Sequence, residues 1–89
     1  IDTCHFKGNF PDRASIQTIY LINEKDKMKA FEESSNWEFF LDEKKCKADF
    51  IHNFGKNDFL HEKAVSHVRL NIYPDGGVSR FRIFGQPVN

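Results

Sequence analysis

Cysteine is scarce in this chain. Two thiols, Cys4 and Cys46, among 89 residues are too few for a disulfide framework, and their spacing fits no zinc motif. They read as two reduced thiols of an intracellular, cytoplasmic protein. An excess of charge is missing as well: 13 basic side chains balance 13 acidic ones. That balance excludes the strongly basic surface by which proteins hold nucleic acids or anionic membranes, so neither is expected as a partner. No run of about 18 apolar residues could span a bilayer. No basic stretch followed by an apolar one reads as a signal peptide. Internal repeats and low-complexity tracts are lacking. No Ser-His-Asp or Cys-His arrangement can be placed, and the four histidines show no ligand spacing, so no metal site is expected. The residues leave any cofactor undetermined.

What is present is aromatic and strand-like. Ten phenylalanines point to an aromatic core. IDTCHF, residues 1–6, alternates apolar and polar positions. KGNFPDRA, 7–14, is turn chemistry. SIQTIYLI, 15–22, is rich in β-branched and aromatic residues and reads as a strand. Residues 23–36 are polar and read as a loop or irregular helix. WEFFL, 37–41, is a strand with Trp37 in the core; 42–49 is a charged connection; FIHNF, 50–54, is another short strand. Short strands with turn signals and no long helix mean an all-β sandwich or barrel. Because the chain opens on Ile1 in what reads as mid-strand, it is expected to be part of a longer polypeptide, with preceding strands missing.

The last third reads as a hairpin. In HVRLNIYPDGGVSRFRIFG, 67–85, Asp75-Gly76 lies between alternating strands, a strong turn signal because a type I′ turn needs positive φ at both central residues. Residues 66–73 and 78–84 would pair, with Leu70 opposite Phe81 on the core face. The other face would carry His67, Arg69, Asn71, Tyr73, Arg80 and Arg82, with Arg69 directly across from Arg82. Like charges in that position repel. Either the face is solvated or internally paired, or the arginines hold an anion.

The same segment resembles the stretch that closes each repeat of the allantoicase family, and IDTCHFKGNFPDRASIQ resembles the family's DTAHFKGN-type segment in the same order. Trp37 with Phe39, Phe40 and Leu41 resembles its tryptophan-led strand. The resemblance runs from residue 1 to about 85. Asp42 and Glu43 depart from it, standing near where the family often has Pro-Arg. It implies a jelly-roll β-sandwich of the galactose-binding type, of which residues 1–89 would be an incomplete copy. It also implies hydrolysis of allantoate to ureidoglycolate and urea, and a second jelly-roll repeat of the same chain as partner, with homo-oligomers an open possibility. Allantoate is a carboxylate bearing two ureido groups, so Lys7, Asn9, Arg69, Arg80 and Arg82 become candidate substrate-binding residues. His5 and His67 become candidate acid–base groups. Structural histidines are the alternative for both, and the preferred reading of His52 and His61. Asp2 would hold an arginine or orient a histidine. Cys4 reads as buried rather than nucleophilic. A non-catalytic module for a carbohydrate or another small ligand, or a structural repeat, stands as the rival, since fold alone does not fix function.

Overall fold

The computed structural model describes residues 1–21 and 37–87. The expected loop or irregular helix at 23–36 lies wholly in the segment 22–36, outside the described residues. Three strands form one antiparallel sheet: β1 (Arg13–Ile19), β2 (Glu38–Lys45) and β3 (His67–Tyr73), in the order β2-β1-β3. A single 3-10 turn, Lys56–Asp58, is the only helical element among the described residues. The protein is thus all-β in its described part, as expected.

β1 is central because RASIQTI can be buried on both sides. Ala14, Ser15, Ile16, Gln17 and Thr18 are all buried. Its alternation divides the sheet. Ala14, Ile16 and Thr18 stand opposite Ile72, Leu70 and Val68, an apolar face that also meets Phe40 and Phe59. Arg13, Ser15, Gln17 and Ile19 stand opposite Tyr73, Asn71, Arg69 and His67, a polar face. Leu41, fully buried, pairs with Ile16 across β2, where the register shifts twice. Each such buried aliphatic side chain contributes about 1.5–3 kcal/mol. Trp37 is in the core, with Ala14, Ile16, Leu41 and Cys46.

The expected hairpin does not form. β3 pairs along its whole length with β1, and residues 78–84 contribute only a bridge from Arg80 to Asp2. Arg69 faces Gln17, not Arg82, and Phe81 is half-buried in the wall of a groove on the apolar face rather than opposite Leu70. The physical reason lies in the glycines. Gly76 has φ 141° and packs so closely on Phe10 and Pro11 that a methyl group would overlap their backbone. A methyl on Gly77 would overlap the Phe6 ring. Gly77 N–H donates to Asn9 O at 2.7 Å, and Asp12 N–H to Tyr73 O at 2.8 Å. The Asp-Gly-Gly segment therefore docks on the opening loop instead of reversing on itself. The alternative strand partner, β1, matches β3 over seven positions and avoids the Arg69–Arg82 repulsion.

Other boundaries shift for local reasons. Residues 1–6 are not a strand: Asp2 bridges to Ile51 and Arg80, Phe6 N–H closes a turn onto Thr3 O, and His5 takes φ 73°. Residues 50–54 reduce to the bridge at Ile51. β2 runs on through the charged 42–45 stretch, because an outer strand can keep its charges in water. Its outer side receives Phe59 and Leu60, with Leu60 N–H donating to Phe40 O at 2.9 Å and Phe59 stacked on Phe40 at 4.2 Å.

Candidate functional site

The polar face is built by pairing β1 against β3. Every second side chain of SIQ and RLNIY points the same way, which brings Ser15, Gln17, Arg69, Asn71 and Tyr73 side by side. Gln17 is the hub. Its Oε1 accepts from Arg69 Nη2 and, at 3.0 Å, from Asn71 Nδ2; its Nε2 donates to Trp37 O at 3.0 Å. Two donors at one end and an acceptor at the other fix which end of the amide is oxygen. Asn71 Nδ2 also donates to Ser15 Oγ at 3.1 Å, and the Ser15 and Tyr73 hydroxyls share a hydrogen bond of 3.0 Å. The Arg69 guanidinium lies over the Trp37 ring, 5.0 Å from its centroid, an attractive cation–π geometry. His67 meets the same ring edge-on at 6.4 Å, with Nδ1 at 2.8 Å from Ser66 Oγ.

A second junction joins the opening segment to the end of the chain. Asp2 N–H donates to Arg80 O and Ser79 N–H to Asp2 O, each at 2.8 Å, and Ser79 Oγ donates to Cys4 O. Hydrogen bonds from the Cys4 thiol and backbone N–H, with Arg80 nearby, hold the Asp2 carboxyl below its usual range. The reciprocal effect of that bond, then burial, pushes the Cys4 thiol up, so it is protonated at neutral pH and a poor nucleophile. Burial raises the Cys46 thiol. No cluster of three or more His, Cys, Asp or Glu residues suited to a metal exists among the described residues.

The candidate residues fall into three places. Arg69 and His67 share the polar face with Trp37. His5, Lys7 and Asn9 lie in the exposed opening loop, where His5 N–H donates to Asp49 Oδ1 at 2.8 Å and Asn9 receives Gly77. Arg80 and Arg82 line a groove of about 520 Å³ with Asp2, Ile16, Phe40 and Phe59, on the apolar side of the sheet. His67 stands opposite Ile19 at the end of β1, whereas His5 belongs to the loop that precedes β1. His52 and His61 are structural. Lys47 N–H donates to His52 Nε2 at 2.8 Å, leaving Nδ1–H for Ile1 O at 3.0 Å. Lys63 N–H donates to His61 Nδ1 at 3.1 Å, leaving Nε2–H for Thr18 Oγ1 at 2.9 Å. Sequence reasoning missed Ser15 and Gln17. Their signal was two polar residues at alternate positions of an otherwise apolar strand, meaningful only once β3 is known to be their neighbour.

Fold and face together define an antiparallel all-β protein that carries an arginine stacked on tryptophan within a row of neutral hydrogen-bonding side chains. The chain belongs to the allantoicase repeat family, whose model matches residues 1–88. A probable allantoicase of Acinetobacter baumannii (strain SDF) is 44% identical over 86 residues, covering 97% of this chain and 25% of that protein. One from Rhizobium meliloti (strain 1021) is 44% identical over 88 residues, covering 97% and 26%. A solved structure of allantoicase matches with TM-score 0.62 and 30% identity, over 89% of this chain and 20% of the other. The chain spans about a quarter of the length of the curated relatives it matches.

Proposed function

We propose that the chain forms part of an allantoicase, an amidine hydrolase acting on C–N bonds that converts allantoate and water to ureidoglycolate and urea in the breakdown of allantoin and purines. Membership of residues 1–88 in the allantoicase repeat family carries this reading. The chemistry of the polar face supports it: a guanidinium forks onto a carboxylate, and carboxamides both donate to and accept from ureido groups. Arg69 and Asn71 offer both on one face. In this reading Arg69 binds the substrate carboxylate and His67, on the same face, exchanges protons with the substrate, whereas Lys7, Asn9 and His5 in the opening loop and Arg80 and Arg82 at the apolar groove stand apart from that face. The proposal extends to a jelly-roll β-sandwich of the galactose-binding type, supported by the antiparallel sheet and the similarity to a solved allantoicase. It extends also to a second repeat of the same polypeptide as partner, and to a cytoplasmic setting, with which the free thiols agree.

One observation favours a second reading, a non-catalytic ligand-binding or structural repeat. His5 lies in the exposed opening loop, bonded to Asp49, and His67 on the polar face beside Trp37, in separate settings rather than as one acid–base pair. The test is urea release from allantoate by the purified native polypeptide. Release above background, lowered at least tenfold by His67→Asn, is the expected result. Allantoate binding without urea release would establish the binding module instead.

A further inference from the structure

We propose that Gln17 is a positioning residue that sets the charge preference of the polar face, orienting Arg69 toward a carboxylate-bearing ligand. The inference rests on the reading of that face as the allantoate-binding surface. Three hydrogen bonds fix the Gln17 amide: from Arg69 and Asn71 to its oxygen, and from its nitrogen to Trp37 O. The side chain is 6% exposed, so it cannot turn without orphaning buried donors. Among the contacts that hold Arg69 are its Nη2 on Gln17 Oε1 and its plane over the Trp37 ring.

The choice of glutamine has a physical meaning. A glutamate would fit the same space and bind Arg69 more tightly. It would also bring the net charge of the Arg69–Gln17 pair from +1 to zero and set a carboxylate oxygen against Trp37 O, where an N–H now donates. An amide orients the guanidinium and adds no negative charge of its own. Ser15, Asn71 and Tyr73 beside them are neutral too. Gln17 therefore acts through Arg69, and its effect is selective for the ligand's charge.

The experiment measures, in the native polypeptide, the Kd and KM for allantoate and the Kd for its uncharged carboxamide analogue. Gln17→Glu, Arg69→Met and the double variant are compared. Gln17→Glu should weaken allantoate by about tenfold or more, the worth of a charge-assisted hydrogen bond. Binding of the carboxamide and the melting temperature should hold, and kcat should change less than KM. In the double variant the two losses should not add, since both act on one guanidinium. Gln17→Met, which removes the acceptor without adding charge, should weaken allantoate less than Gln17→Glu does. Equal weakening of charged and uncharged ligands, or full additivity, would overturn the proposal and leave Gln17 as scaffolding. An Arg69→Met variant that binds allantoate normally would instead remove the face itself from substrate binding, and the proposal with it.

Discussion

Asp2 shows how a single half-buried carboxylate can organise a junction. It accepts from Cys4 N–H at 2.8 Å, its backbone bonds to residues 79 and 80, and Arg80 adds a nearby positive charge. The same carboxylate keeps the Cys4 thiol protonated, by hydrogen bond first and by burial and charge after. Asp2→Asn removes the charge, so the thiol should ionise at lower pH and alkylate severalfold faster near pH 8. Iodoacetamide kinetics followed by mass spectrometry would check this, with buried Cys46 as the internal standard. An unchanged or slower Cys4 rate would contradict the assigned cause. His52 and His61 teach the complementary lesson. Each spends both ring nitrogens on fixed partners, so their chemistry is used up by the fold. His5, exposed and in the left-handed region, and His67, beside Trp37, differ from them in setting.

At the scale of elements, the segment after β3 carries the chief correction. Asp75-Gly76-Gly77 has the composition of a hairpin turn, and Asp75 does make local turn chemistry, its Oδ1 accepting from Gly76 N–H at 2.8 Å. Yet the glycines serve close approach to Phe6, Phe10 and Pro11 rather than reversal. Gly76→Ala meets two obstacles: a φ of 141°, which L residues rarely adopt, and backbone where its Cβ would go. The loss should be about 2 kcal/mol or more. Denaturant titration of the variant measures it. A loss under about 0.5 kcal/mol would mean that the glycine is needed for neither reason. A hairpin built on Asp75-Gly76 would also respond to this substitution, so Phe6→Ala serves as the discriminating partner. It should weaken the docking of the Gly77 segment while leaving a hairpin intact, and faster exchange of the Gly77 amide would report it.

For the molecule as a whole, exposed ion pairs fasten loops to the sheet. Lys63 holds Glu38 through both carboxylate oxygens, at 2.9 and 3.0 Å, and that hydrogen bonding is the main reason the Glu38 carboxyl lies below its usual range. Asp2 is lowered likewise at the other junction. A carboxylate whose folded value is depressed stabilises the fold fully above its ordinary range and loses that contribution as the pH falls through the folded value. Melting temperature should therefore drop on acidification below about pH 4, and Asp2→Asn with Glu38→Gln should flatten the drop. Glu38 is exposed and Asp2 half-buried, so the effect is modest and weaker in high salt. An unaltered acid profile in the double variant would show that other groups drive the acid transition. The division of the arginines is a property of the same scale. Arg69 belongs to the polar face, while Arg80 and Arg82 border the apolar groove, so the three do not form one cluster within the described residues.

The sequence by itself determined the class of structure. β-branched and aromatic runs at 15–22, 37–41 and 66–73 marked the three strands to within a few residues, because period-two burial is a local property of the chain. Alternation in HVRLNIY also separated His67, Arg69, Asn71 and Tyr73 from Val68, Leu70 and Ile72, and that separation holds in the sheet. Only the tertiary structure decided which strand β3 would meet. A tight turn signal reports what the chain can do nearby, whereas pairing is won by whichever partner buries and bonds most, here β1 some fifty residues away. That choice placed Gln17 rather than Arg82 beside Arg69, removed the repulsion the hairpin would have imposed, and created the polar row that no short-range pattern contained. The same long-range competition dissolved the strands expected at 1–6 and 78–84 into a junction, since backbone groups that bond across to distant loops are no longer free to build a ladder of their own.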